Sequence, residues 1–169
     1  MYRKVLIATD GSTLSQLAAC AGAQFAKGIK ADVVGLCAAP RYDAPLVLGM
    51  PMSLQSEADY VAQMNSAARN HLDEIKGPIE AAGLRFKAVT PLTNTPALEI
   101  VETARREGCD LIFMGSHGRG GLGQLLLGGV TTKVLSHCHI PVLVYRPTEE
   151  DLELAENMRQ RERVYGRSM

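Results

Sequence analysis

Residues Gly115 to Gly129 read GSHGRGGLGQLLLGG and follow directly on an apolar run, CDLIFMG, over Cys109 to Gly115. Seven of the sixteen glycines of the chain fall in these fifteen residues. Glycine loses more backbone entropy on ordering than any other residue. Such a stretch is either slack or shaped around something that side chains would obstruct. The run before it reads as a buried strand, and a helix follows from about Val130 to Ser136. Strand, glycine turn and helix together form one unit of an alternating α/β chain.

The rest of the sequence repeats that unit. RKVLIA, Arg3 to Ala8, is a first apolar strand ending at Asp10-Gly11-Ser12. Ser12 is placed to cap a helix with Leu14, Leu17, Ala18, Ala21 and Phe25 on its apolar face, which Gly28 should close. ADVVGLCAA, Ala31 to Ala39, is a second strand. From Glu57, the residues Tyr60, Met64, Ala67, Ala68, His71, Leu72 and Ile75 trace an amphipathic helix. Gly77-Pro78 should kink or interrupt it before Gly83 ends it. His71 lies on the apolar stripe, which marks a core or boundary histidine. LRFKAVTPL is a third strand, and Thr95-Pro96 supply N-cap and first-turn proline to a helix through Leu98, Ile100, Val101 and Ala104. PVLVYR, Pro141 to Arg146, is the fifth strand.

Strands apolar throughout and alternating with helices indicate a parallel sheet covered on both faces. With right-handed crossovers, the economical topology is an open doubly wound sheet. Ligands then sit beyond the carboxyl ends of strands where the winding reverses. Asp10 and Gly115 end strands one and four; if those strands are neighbours, both motifs face one crevice.

The 169 residues suit one domain. Eighteen basic residues balance eighteen acidic ones, so no global field recruits nucleic acid or an anionic membrane. The N-terminus MYRKVLIATDGS is too short in apolar residues for a signal-peptide core or a membrane span, which makes the cytoplasm the expected location. Cys20, Cys37, Cys109 and Cys138 show no CxxC spacing and read as buried small hydrophobes. His137-Cys138-His139 lacks a second cluster to complete four metal ligands. Pro40 to Gln55, PRYDAPLVLGMPMSLQ, has too much proline for a regular helix and too much apolar surface for a solvated linker. It reads as a loop packed on its own domain, or as a lid or partner-facing surface. Residues 148–169 form a charged tail with a narrow apolar stripe, Leu152, Leu154, Ala155 and Met158, consistent with a solvated, partly frayed helix.

Three patterns compete for the glycines. Gly118, Gly120 and Gly123 spell GxGxxG, but the segment does not open the fold and no acid stands about twenty residues on. Gly118 to Gly123 fits half of a P-loop, but Gln124 and Leu125 stand where lysine and a hydroxyl belong. The third pattern, G-x2-G-x9-G plus a small residue, comprises Gly115, Gly118, Gly128 and Gly129. Gly115 lets a sugar approach the backbone, and Gly118 turns successive N–H groups inward as an anion nest. Gly128 and Gly129 open a helix whose first amides and dipole favour phosphate. Leu125, Leu126 and Leu127 should anchor the returning segment in the core.

VLIATDGS, DLIFMGSHGRGG and LLLGGVTTKVLSHCHIPVLVYR resemble the universal stress protein family, in its nucleotide-binding branch, over roughly Tyr2 to Arg146. The resemblance implies a five-stranded α/β sandwich of order 3-2-1-4-5, adenine nucleotide alpha hydrolase-like, as a homodimer. It makes residues 1–147 the universal stress protein domain. It implies that an adenine nucleotide, ATP above all or else ADP or AMP, with or without Mg2+, lies across the ends of strands one, two and four. Asp10 would hold the ribose hydroxyls with Ala8 and Thr9 beside it, and Ala38 would meet the adenine edge through its main chain. Met114 and Gly115 would line the ribose; Gly118, Arg119, Gly128, Gly129, Val130 and Thr131 would take the phosphates. A carboxylate can accept two hydroxyl hydrogen bonds, and main-chain amides suit a polyphosphate.

Two positions depart from the family. Its motif ends in Gly-Ser or Gly-Thr, whereas Gly128-Gly129 stand here, at a cost of about 1.5–3 kcal/mol if that hydroxyl bonds phosphate; Thr131 or Thr132 could substitute. Asn94 stands where the family tends to have glycine, and asparagine tolerates left-handed backbone. On local sequence alone Asp10 could simply cap the first helix. Without a P-loop lysine or evident general base, His117 included, a regulatory nucleotide-binding dimer with a further regulatory protein partner is favoured over a slow ATPase or phosphotransferase. A stress-linked dimer that binds no nucleotide is the third reading. The dimer is expected to pair Pro141 to Arg146 antiparallel with its copy, hiding an apolar edge.

Overall fold

The computed structural model describes residues 1–43, 46–47, 50–51, 56–116, 127–151, 153 and 157. Its strands are β1 (Lys4–Thr9), β2 (Asp32–Cys37), β3 (Leu46–Val47), β4 (Met50–Pro51), β5 (Phe86–Val89), β6 (Leu111–Gly115) and β7 (Val142–Tyr145). The helices are α1 (Thr13–Ile29), α2 (Glu57–Ala81), α3 (Pro96–Arg106) and α4 (Gly129–His137). Five strands pair in parallel in the order β5-β2-β1-β6-β7, which is 3-2-1-4-5 when only these five are counted. The winding reverses between β1 and β6, whose register sets Ala8 opposite Met114.

Successive residues of a strand point to opposite faces, so β1 feeds two cores. Val5 and Ile7 join Val33, Phe113 and the α1 and α2 side chains; Leu6 and Ala8 join Val34, Ile112 and those of α3 and α4. Val5, Leu6 and Ile7 are fully buried, each contributing about 1.5–3 kcal/mol. Burial on both faces is why these strands read as unbroken apolar runs.

The first helix begins at the expected cap, Ser12, which accepts from the Ser15 N–H. Its end and its face differ from expectation. Gly28 lies inside the helix, and Lys30 closes it in the left-handed region at φ 57°. The buried face runs through Leu14, Ala18, Ala19, Gly22, Ala23 and Ala26, while Leu17, Ala21 and Phe25 are half-buried. Small residues let α1 approach the sheet so closely that a Cβ on Gly22 would stand 2.8 Å from the Phe113 ring. That face of α1 leaves Cys20 exposed; Cys138, at the end of α4, is half-buried, and only Cys37 and Cys109 are buried, against the expectation of four buried thiols.

The second helix runs through Gly77-Pro78 without interruption. Proline in a helix costs about 3 kcal/mol and frees the carbonyl four residues back. Here Gly77 and Pro78 are exposed, while Ile75 and Ile79 on either side are fully buried. Their burial offsets the lost bond, and Gly83 ends the element at φ 74° as expected.

The third helix starts at Thr95-Pro96, but the Thr95 hydroxyl does not cap it and pairs instead with that of Thr93 at 3.2 Å. Beyond β2, the segment 40–55 contains a short antiparallel pairing of β3 with β4 that no sequence signal announced. Its beginning packs on its own domain, with the Tyr42 and Tyr60 rings 5.3 Å apart. After β7, Thr148 and Asp151 cap one another: the Thr148 N–H donates to Asp151 Oδ2 at 2.8 Å and the Asp151 N–H donates to Thr148 Oγ1 at 3.2 Å. Residues 149–151, 153 and 157 are helical.

Candidate functional site

The residues expected to form a site lie at the carboxyl ends of β1, β2 and β6, where the winding reverses. On β1, Ala8 and Thr9 are 6% exposed and Asp10 is half-buried. The turn that follows is a closed polar knot. Asp10 Oδ1 accepts the Ser12 N–H at 3.0 Å and the Ser15 hydroxyl at 2.5 Å, and the Asp10 N–H donates to Ser15 Oγ at 3.2 Å. The Thr9 hydroxyl donates to Gln16 Oε1 at 3.1 Å and accepts the Gly11 N–H at 3.2 Å. Asp10 therefore does bind the start of α1, as its local sequence allowed, and Thr9 builds the turn rather than facing a ligand with its hydroxyl.

Gly11 holds the turn open at φ 77°, a conformation that side chains rarely adopt. A Cβ there would also meet the His71 ring at 2.3 Å from Nε2. His71 is thus the boundary histidine its place on α2 suggested.

Beside it, Ala38 follows the end of β2 and is half-buried. The next residues are stitched to the segment beyond β5: the Ala39 N–H donates to Pro91 O at 3.0 Å and the Thr93 N–H to Ala39 O at 2.8 Å. Asn94 adds a latch, its Oδ1 accepting the Arg41 N–H at 3.1 Å. Among described residues other than glycine only Lys30 has a positive φ. Asparagine at position 94 therefore serves a side-chain contact, not the left-handed turn expected for it.

On β6, Met114 is 5% exposed and Gly115 is buried. Gly118, Arg119 and His117 fall outside the described residues, as do Leu125 and Leu126. Leu127 is 46% exposed, so it does not anchor the returning segment in the core as expected. The return is held by main chain instead. The Ser116 N–H donates to Tyr145 O, and the Gly128 N–H donates to Ser116 O, both at 2.8 Å. That bond takes the Gly128 amide, one of the phosphate donors expected from sequence. Thr131 is buried with its hydroxyl donating to Gly115 O at 3.0 Å, which occupies the hydroxyl that could have substituted for the missing serine or threonine.

Gly128 is the N-cap of α4, with no side-chain cap. Among the described residues the N–H groups of Gly129, Val130 and Thr131 have no acceptor, while the Thr132 N–H already bonds Gly128 O at 2.9 Å. Amides at a helix start that no described residue engages are the donors an anion-binding end uses. They stand one strand across from the Asp10 turn. The roles of Ser15, Gln16, His71 and Ser116 were missed in the sequence. Ser15, three residues after Ser12, was within reach of pattern reading; the others owe their roles to long-range contacts.

No helix among the described residues is long and apolar enough to cross a membrane, and no cluster of three metal-ligating side chains occurs among them. The model of the universal stress protein family matches residues 1–146. Universal stress protein MJ0531 of Methanocaldococcus jannaschii is 31% identical over 152 residues, covering 89% of this chain and 86% of the relative. Universal stress protein MJ0577 of the same organism is 32% identical over 157 residues, covering 86% and 96%. The solved structure of MJ0577 superposes with a TM-score of 0.70 over 88% of this chain and 99% of that one, at 30% identity. A universal stress protein solved in complex with cAMP has the same fold, with a TM-score of 0.61 and 22% identity over 87% and 98% of the two chains.

Proposed function

This chain belongs to the universal stress protein family, and on that footing we propose that it is a regulatory dimer that binds an adenine nucleotide, ATP first among them, in the cytoplasm. The observation that carries the reading is the pairing of two chemistries across neighbouring strand ends. Asp10 tips β1, and the amides of Gly129, Val130 and Thr131, which no described residue engages, begin α4. In this reading the Asp10 carboxylate holds ribose hydroxyls while keeping Ser12 and Ser15 on Oδ1, since an ionised carboxylate has about four acceptor positions. The amides and the helix dipole receive phosphate. Gly118 and Arg119 add further phosphate contacts, Ala8 and Met114 line the cleft, and Ala38 presents main chain to the base. Any Mg2+ is held by the phosphates themselves. The relative of the same fold solved with cAMP lends support to a nucleotide ligand.

The dimer would form through β7. Its two outward residues, Val142 and Val144, direct their main-chain groups away from β6, because Pro141 O and Tyr145 O face β6. All four residues of β7 are half-buried and none is charged. The opposite edge strand, β5, carries Lys87, a charge that discourages pairing.

The alternative, a dimer without nucleotide, draws on the loss of the Gly128 amide and Thr131 hydroxyl to internal bonds. The test is to denature the purified protein, identify released small molecules by mass spectrometry, and titrate the emptied protein with ATP, ADP and AMP by calorimetry. Released or titratable adenine nucleotide is expected. Neither release nor heat with any of the three would overturn the nucleotide reading.

A further inference from the structure

We propose that His71 is a positioning residue for the nucleotide site, bracing Gly11 from α2 so that the Asp10 carboxylate is held in ribose-binding geometry; the part concerning ribose rests on the reading above. Gly11 has the greatest backbone freedom in the turn and sits at φ 77°. Hydrogen bonds secure the residues on either side of it, Asp10 and Ser12. What faces the α-carbon itself is the imidazole of His71, its Nε2, Cδ2 and Cε1 atoms all within 3 Å of the place a Cβ would take. The ring fills the space into which the turn would otherwise relax.

The helix turn that carries the ring is itself tied down through its main chain by a second residue. Gln16 donates from Nε2 to His71 O at 2.6 Å and to Glu74 Oε2 at 2.9 Å, while its Oε1 accepts the Thr9 hydroxyl at 3.1 Å. One amide side chain therefore ties the end of β1 to the turn of α2 that carries His71. Leu72 and Ile75, fully buried on the same stretch of α2, fix that turn against the sheet. The path runs from a rigid packed helix through an imidazole to a glycine, and from the glycine to the neighbouring acid. Such support from behind the contacting residue is what keeps a binding group in productive geometry.

The test uses the full chain, with wild type, His71→Ala and His71→Phe compared. ATP and 2′,3′-dideoxy-ATP, which lacks both ribose hydroxyls, are titrated by calorimetry. His71→Ala is expected to weaken ATP at least fivefold and dideoxy-ATP less than twofold. His71→Phe, which keeps a ring against Gly11, should stay within twofold of wild type for both. An equal loss for the two ligands, or no loss, would overturn the positioning role. The brace is also read without ligand, by amide exchange at Gly11 and Ser12, expected to quicken about tenfold in His71→Ala and less than twofold in His71→Phe. Unchanged exchange in His71→Ala, or equal quickening in both variants, would overturn the brace. Failure of wild type to bind ATP would overturn the nucleotide reading instead, and the exchange measurement would still decide the brace.

Discussion

Lys30 ends α1 with φ 57° and ψ 43°, a conformation in which a side chain costs about 1–2 kcal/mol. Its N–H still reaches the carbonyls of Ala26 and Lys27, so the cap is sound and only the residue type is strained. Lys30→Gly is expected to raise stability by about 1 kcal/mol, seen as a higher urea midpoint at unchanged slope; an unaltered or lower midpoint would contradict the strain. Gly129 presents the opposite case. Its φ is not positive, and no described residue lies within 4 Å of the place a Cβ would take, so neither the backbone nor the described packing requires glycine there. Gly129→Ser should fold normally and restore a donor at the start of α4. If phosphate binds there, ATP affinity should rise about tenfold or more; a calorimetric titration giving equal affinities would place the phosphate elsewhere. The placement of Asp10 and Gly115 at neighbouring strand ends was legible because each ends an apolar run. The internal bonds of the Gly128 amide and the Thr131 hydroxyl were not legible, because their partners, Ser116 and Gly115, are brought to them only by the return of the chain.

Elements meet differently at the two ends of the sheet. At the amino ends of the strands, Asp110 accepts the main-chain N–H groups of Arg3 and Lys4 at 2.9 to 3.1 Å, tying the start of β6 to that of β1. Burial pushes the Asp110 carboxyl up, but those donors outweigh it and hold the group below the ordinary carboxylate range. A carboxyl lowered on folding adds stability that is fully present above its unfolded value, near 3.8, and lost as pH falls through the folded value. Asp110→Ala should therefore cost on the order of 1 kcal/mol at neutral pH. The gap from wild type should narrow below about pH 3.8. Urea titrations at several pH values check this, and a gap constant into acid would rule out the ionised group as its source. The carboxyl ends of the strands carry instead the turns of the candidate site. The types and order of the five parallel strands and the helices between them were readable from periodicity. The β3–β4 pairing was not, nor was the continuity of α2 through Pro78, which depends on two isoleucines buried against strands distant in sequence.

Across the molecule, β7 is an uncharged edge whose neighbours on the other side are complete. Val144 pairs in register with Met114, and its own N–H points outward. Val144→Pro removes only that outward donor and is tolerated on an edge strand, so the monomer should stay folded while the proposed pairing is lost. Sedimentation at micromolar concentration should give a dimer for wild type and a monomer for the variant; a dimeric variant would move the interface away from this edge. The same strand holds the beginning of the tail. The Tyr145 hydroxyl donates to Asp151 at 2.6 Å, and this bond, ahead of burial, pushes the phenol up to about 12.

Five parallel strands, the four helices α1 to α4 of the described residues, their doubly wound layering and the carboxyl-end placement of Asp10 and Gly115 were all written in the order of residues. They rest on apolar periodicity and on turn residues, which act between near neighbours in the chain. Packing in three dimensions settled which face α1 buries, that Asn94 latches Arg41, and that His71 rests on Gly11. Each of these depends on which distant groups share space once the layers close, and close packing admits one such arrangement without any local pattern announcing it.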